Sequence, residues 1–334
     1  MTVSGQHTKY SQSRKRTFIN LYGHSSGYGR AVGIKVQLRI LFLSLSNTYE
    51  TLIEQLHSEG HIVEQLTEHD GIYARPEKAT AIAVDKINRF YPTYVINNTP
   101  FLSLPALSTN SIVIGNTEAS ANLELKRWET RQKAQELGFL LPEVLEECDL
   151  NAVSTDYTET VFVKPKGIDP WHCAWKIPAG TNIEENHNRH LPSGIPAYVE
   201  ADTEHDMQVD CLFTIHNGSY AINSITAYTS KGDEKIFIGG TTNWKTGIEY
   251  RETSPEQNTL VTTLFNNWLE YAATLGGSYQ GWAATGLKEQ NLYWYEQNSR
   301  HGHHTRFIGS GQDWLNSLTV DPAECLKIQW DWDL

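Results

Sequence analysis

The period of the hydrophobic pattern changes several times along this chain, and each change marks an element. "ILFLSL" (40–45) is a short, nearly continuous apolar run, as expected for a strand buried on both faces. After it, Asn47 or Thr48 offers a helix cap, Leu52, Ile53 and Leu56 share one helical face, and Gly60 offers a stop. "HIVEQL" predicts the next strand, and "YVINNT" (94–99) and "SIVIGN" (111–116) predict two more. Strand, helix and strand in succession predict a small doubly wound α/β domain with parallel strands. The stretch contains no GxGxxG, so it does not read as a dinucleotide site.

"TEASANLELKRWETRQKAQELGF" predicts one helix, capped by Thr117, with Glu118 in its first turn and Gly138 closing it. "LPEV" and "TVFVKPKG" follow, a return strand ending in lysines. "AYVEAD" and "MQVDCLFTIHNGSYAINSITAYT" predict strands of a second sheet. In the latter, Val209, Cys211, Phe213 and Ile215 alternate toward a core, with Gln208 and Asp210 on the other face. "PEQNTLVTTLFNNWLEYAATLGG" predicts a helix with Leu260, Leu264, Trp268, Tyr271 and Leu275 along one stripe. "YQGWAATGL" predicts a strand, 288–291 a turn, and a last strand then runs into "LYWYEQNSRHGHHT". At the other end, residues 1–16 are polar and read as a disordered arm. "TFINLYGHSSGYGRA" reads as a strand over 17–21 followed by a glycine-bearing surface loop.

Composition narrows the function classes. The 334 residues are enough for two or three packed subdomains. The net charge of −12 argues against general nucleic-acid binding, which shows as a basic surface. Cys148, Cys173, Cys211 and Cys325 lie far apart without zinc spacing, which predicts reduced thiols. The longest apolar run is too short to span a bilayer, and Arg14, Lys15 and Arg16 precede no h-region. The expectation is a cytoplasmic protein without membrane partners.

The chemistry concentrates near the end. In a strand, residues i, i+2 and i+4 share a face, so Glu296, Asn298 and Arg300 project together if the strand reaches that far. A carboxylate and an amide oxygen are hard ligands suited to Mg²⁺ or Mn²⁺, and a guanidinium holds phosphate or carboxylate in two-point contact. An exposed sheet face with an ordinary Glu–Arg pair is the plainer alternative. His301, His303 and His304 follow; they could form a transition-metal site, but no Cys or Asp completes it locally, and a polar loop is the plainer account.

The order of residues along the chain strengthens the first reading. A capped helix bears Lys126, a strand ends at Lys164, another ends at Glu200, Asp206 to Asp210 follow, and Glu296-x-Asn298-x-Arg300 comes last. In this order, over about 38–320, the sequence resembles the ATP-grasp superfamily, and within it the phosphoribosylamine–glycine ligase branch, whose strand ends in Glu-x-Asn-x-Arg-x-Gly. The resemblance implies a fold that is α/β and α+β, a Rossmann-like domain followed by a two-part ATP-grasp fold. Its segments would be an N-terminal extension (1–37), the Rossmann-like domain (38–116), a helix and lid (117–200), a sheet subdomain (201–320) and a tail (321–334).

It also implies a carboxylate–amine ligase that uses ATP and Mg²⁺ (or Mn²⁺) on small-molecule substrates, passing through an acylphosphate. By resemblance, Lys126, Lys164, Lys166, Glu200 and Asp206 would face the nucleotide, and Glu296 and Asn298 the metal. Arg300 and Lys164 would act on the transferring phosphoryl group. The acceptor would meet Asn243, Lys245 and His303.

Departures from that pattern point to a changed acceptor. The glycine-rich lid loop is replaced by "GIDPWHCAWK", where Pro170, Trp171 and His172 are too bulky for close backbone approach to phosphate; Lys166 or Lys176 would have to compensate. "GWAATGL" holds no acid where many superfamily members place a first metal carboxylate. "GGTTNWKTG" (239–247) and Gly302-His303-His304-Thr305 replace the branch's acceptor segments. The alternative function is an ATP-grasp module that binds a nucleotide or partner without ligation.

Overall fold

Five short helices and thirteen strands arrange the described chain around two sheets. The computed structural model describes residues 36–73, 76–100, 102, 104, 111–154, 157–167, 174–181, 193–231, 234–241, 254–300 and 314–315. The apolar run forms β1 (Arg39–Leu43), and α1 (Glu50–Ser58) returns the chain to β2 (Ile62–Leu66). Then come α2 (Pro76–Phe90), β3 (Tyr94–Asn97) and β4 (Ile112–Gly115). β1 pairs in parallel with β2 and β3, and β3 with β4. The expected doubly wound half is therefore present. Leu52 and Leu56 of α1 are buried as expected, but the helix starts at Tyr49 without a side-chain cap from Asn47 or Thr48.

One long helix was expected after β4, and two are found. α3 (Glu118–Leu125) opens on a Thr117 capping box with Ser120, and α4 (Arg127–Glu136) follows at once. The break falls at Lys126, whose backbone leaves the helical region at φ −106°, ψ 65°. A helix start leaves N–H groups without intrahelical partners. Here the Trp128 N–H donates to the Lys166 carbonyl at 3.0 Å, so the break ties α4 to the end of a lid strand.

The lid is a four-stranded antiparallel sheet in the order β5 (Val144–Asp149), β8 (Pro196–Ala201), β6 (Val161–Pro165), β7 (Trp175–Ile177). "AYVEAD" was expected beside "MQVDCLF". It lies instead between β5 and β6, on the lid side of the boundary that the resemblance set at residue 200. Val161, Val163, Ala197 and Val199 bury one lid face with Leu150 and Val153.

The remaining strands extend the parallel half into a nine-stranded sheet. β9 (Met207–His216), β10 (Ser219–Lys231), β11 (Glu234–Thr241), β12 (Ser278–Lys288) and β13 (Asn291–Asn298) are antiparallel, and β12 meets β4 through Ser278 and Gly115. α5 (Pro255–Thr274) starts on a Ser254–Gln257 capping box and lays Leu264, Phe265, Trp268 and Leu269 on this sheet. Val209, Cys211, Phe213 and Ile215 meet that stripe, as their alternation predicted. Among the described residues, no helix is long and apolar enough to cross a membrane.

Candidate functional site

The last hairpin sets the site. β12 and β13 pair from Lys288 and Asn291 through Thr285 and Trp294, and the register then shifts so that Ala284 meets Glu296. Tyr295 is the extra residue, a β-bulge. Before it, Leu292 and Trp294 pack into the α5 core. After it, Gln297 faces that core and accepts from the Trp268 indole N–H, which leaves Glu296 and Asn298 on the opposite face. The Tyr295 ring lies over Gly286, in the space a Cβ there would fill.

On that face the three expected residues do come together. β13 ends at Asn298, so Arg300 lies just beyond the strand, yet it stays in the chain of contacts. Asn298 Nδ2 donates to Glu296 Oε1 at 3.3 Å, and Arg300 Nη2 donates to Asn298 Oδ1 at 3.3 Å. Arg300 Nε donates to Glu124 Oε1 at 2.7 Å, and the other Glu124 oxygen accepts the Ser299 N–H at 3.0 Å. Glu124, from α3, thus fixes the turn after β13. Burial pushes its carboxyl up from the usual carboxylate range, with the Arg300 guanidinium pulling the other way, while Glu124 raises Arg300.

Arg127 closes the other side. It is 8% exposed, and its Nη2 donates to Glu296 Oε2 at 3.2 Å. Its Nη1 is buried with no hydrogen-bond partner. Lys126 was the cation expected to face the nucleotide from this helix. The helix break leaves Lys126 exposed and turns Arg127 inward.

A second cluster sits under the lid. Glu200, 2% exposed, takes Arg131 Nε on Oε1 at 2.9 Å and Lys164 Nζ on Oε2 at 2.5 Å. Arg131 comes from α4, Lys164 from β6 and Glu200 from β8, so two residues expected separately to face the nucleotide meet each other directly. Tyr198 lies between the clusters. Burial, and after it Glu200, raises the Tyr198 phenol, Arg127 and Arg131 lower it, and Glu296 adds to the rise. Its hydroxyl, like Arg127 Nη1, is buried without a partner. Lys164 Nζ also lies 5.9 Å from the Tyr295 ring centre, and the Tyr295 hydroxyl is 2.9 Å from His205 Nδ1.

The other expected residues fall elsewhere. Lys166 pairs with Glu147 at the lid edge and covers the Trp128 ring at 4.4 Å. Asp206 is exposed and accepts the Glu289 N–H at 2.9 Å, so it supports the β12–β13 turn. Lys176 Nζ is 3.9 Å from Asp202 Oδ2. Asn243, Lys245 and His303, with His301, His304, Pro170, Trp171 and His172, lie outside the described residues.

Sequence reading missed Glu124, Arg127 and Arg131, and took Asp210 only as part of the run that begins at Asp206. The first three were hidden in what looked like a charged helix face. Asp210 is 3% exposed, accepts from Gln208 Nε2 at 2.8 Å, and stands across Ala284 from Glu296. Two strand spacings, about 10 Å, separate the Asp210 and Glu296 backbones. Among the described residues no three His, Cys, Asp or Glu side chains gather into a metal cluster. Glu296 and Asn298 carry the hard oxygens that Mg²⁺ takes before completing its shell from phosphate and water, and the Asn298 amide, which now turns Nδ2 to Glu296 and Oδ1 to Arg300, would rotate to bring both oxygens onto one ion.

No protein-family model and no curated protein matches the sequence. Solved structures do match the fold. An L-amino acid ligase from Bacillus licheniformis is similar with a TM-score of 0.62 at 14% identity, over 88% of this chain and 78% of that one. A carboxyaminoimidazole ribonucleotide synthase from Aspergillus clavatus, solved with ATP, gives 0.57 at 12% identity over 87% and 77%. A phosphoribosylamine–glycine ligase from Thermotoga maritima gives 0.56 at 12% identity over 84% and 74%.

Proposed function

Because the chain has the ATP-grasp fold, we propose that it is an ATP-dependent carboxylate–amine ligase. The observation that carries the reading is the face of β13, where Glu296, Asn298 and Arg300 form one hydrogen-bonded chain beside Arg127. The buried pair Lys164–Glu200 lies under the lid next to it. Such a face suits a reaction whose difficulty is negative charge.

A substrate carboxylate oxygen attacks the γ-phosphorus of ATP, and the bond to the ADP oxygen breaks. The amine then attacks the acyl carbon of the acylphosphate, phosphate leaves, and a proton is lost to give the amide. Lys164, Arg127 and Arg300 would hold and neutralise the phosphate oxygens. Glu296 and Asn298 would hold Mg²⁺, which supplies charge neutralisation on the phosphates. Glu200 would keep Lys164 and Arg131 oriented. The chemistry is that of the glycinamide ribonucleotide synthetase type with a different acceptor, since the acceptor segments differ in sequence.

The test is ADP release from Mg-ATP with a panel of amino acids and amines, with Glu296→Gln as the control. Release that needs a carboxylate and falls at least about 100-fold in the control, the value of a lost electrostatic contact in a transition state, supports the ligase. ATP binding with no ADP under any acceptor would leave a nucleotide-binding module instead.

A further inference from the structure

We propose that Arg127 is the resident cation of the metal site, and that a divalent ion displaces it from Glu296 onto a phosphate oxygen of the nucleotide. The inference rests on the ligase reading above and concerns the order of events at one carboxylate.

The argument starts from Glu296. Its Oε2 accepts from Arg127 Nη2, and its Oε1 accepts from Asn298 Nδ2. The carboxylate therefore already holds a full positive charge along the edge that faces α4. A divalent ion on Glu296 and Asn298 Oδ1 would stand within a few ångströms of that guanidinium, and like charges so close in a poorly solvated site repel strongly. The ion and Arg127 cannot both keep the carboxylate at full strength.

Arg127 has somewhere to go. It sits at the first turn of α4, directly after the break at Lys126, so its side chain is rooted at the junction of helix and lid. Its Nη1 is buried and unsatisfied, and the nearby Tyr198 hydroxyl is buried and unsatisfied too. Each unsatisfied buried donor is costly, and an anion that accepts from them would relieve that cost. A phosphate oxygen brought in with the ion has the right charge and acceptor chemistry. The guanidinium fork would then change partners without losing its charge match. Glu124 already holds Arg300 on one oxygen and the Ser299 N–H on the other.

Two measurements on binding decide this without turnover. In the first, Mn²⁺ alone is titrated against the full chain and free Mn²⁺ is read by electron paramagnetic resonance. Arg127→Gln should bind Mn²⁺ about tenfold more tightly than wild type, the worth of one charge-assisted hydrogen bond removed from competition. The same variant should bind Mg-ATP about tenfold more weakly. Arg127→Gln with Glu296→Gln should lose the Mn²⁺ gain.

In the second, the unmutated protein is treated with an arginine-selective dicarbonyl and mapped by mass spectrometry, which avoids any folding defect of a variant. Mn²⁺ should raise modification of Arg127, and added ATP should suppress it. Unchanged or weaker Mn²⁺ affinity in a folded Arg127→Gln variant overturns the exchange, as does Arg127 modification indifferent to Mn²⁺. If wild type binds neither Mn²⁺ nor ATP, the functional reading itself falls.

Discussion

Glu200→Gln should damage the protein far more than its conservative shape suggests. The Glu200 carboxylate is 2% exposed and holds two cations, Arg131 at 2.9 Å and Lys164 at 2.5 Å. Arg131 and Lys164 are themselves 8% and 7% exposed. An amide offers one oxygen and no charge, so at least one buried cation loses its counter-charge. Breaking a buried pair from one side costs about 3–5 kcal/mol. With about 2–4 °C of melting temperature per kcal/mol for chains of this size, the fall is at least about 6 °C.

Thermal unfolding followed by circular dichroism, at low salt and in 1 M salt (on the order of a 3 Å screening length), reads it directly. A loss below about 2 °C, or a loss that vanishes in salt, would mean the pair is solvated and the argument is wrong, since buried pairs are screened little. The companion experiment replaces the whole cluster: Arg131→Met, Lys164→Met and Glu200→Leu together. Apolar replacement of an entire buried ionic group is often neutral or stabilising. That variant should regain most of the stability while remaining unable to bind ATP, separating what the cluster does for the fold from what it does for the ligand.

Three further outcomes follow from single contacts. The raised Glu124 carboxyl means the folded state holds that proton more tightly than the unfolded chain. Its contribution is therefore present below the ordinary 4.5 and lost as pH rises through the raised value. Glu124→Gln removes that slope and adds a constant loss from the stranded Arg300; a difference in urea midpoint that does not change with pH contradicts it. Gly286→Ala drives a Cβ into the Tyr295 ring and should cost about 1–3 kcal/mol by overpacking, with part recovered in Gly286→Ala/Tyr295→Ala by a melting cycle. Ser254→Ala removes the side-chain oxygen that caps Gln257 at 3.2 Å and should cost about 1 kcal/mol in denaturant titration.

Much of this arrangement is written locally, and what is not has a physical reason. β1 to β4 are short apolar runs between helix caps, and such runs declare parallel strands without outside help. The α5 stripe and the β9 alternation were legible because one period held throughout each element. The helix over 118–136 was not legible as two, because the break at Lys126 is stabilised by a distant partner, the Lys166 carbonyl. That single event also moved the inward cation from Lys126 to Arg127. "AYVEAD" looked like any other strand, and only its pairing with β5 and β6 assigns it to the lid. Glu296, Asn298 and Arg300 were legible as a set, since spacing two carries that much. Their buried partners Glu124 and Arg127 lie far away in sequence and carry no local mark.

The extra residue at Tyr295 has a further consequence. If Tyr295 were paired in regular alternation instead of bulged out, Glu296 and Asn298 would fall on the same side as Leu292 and Trp294, pressed into the α5 core. Deleting Tyr295, an uncharged residue, would remove the bulge and leave a regular hairpin in which Glu296 follows Trp294, still opposite Ala284 and still facing outward. A change that let Tyr295 pair regularly would turn the carboxylate inward without touching it, so the backbone conformation at this one residue matters to the site as much as the identity of its ligands.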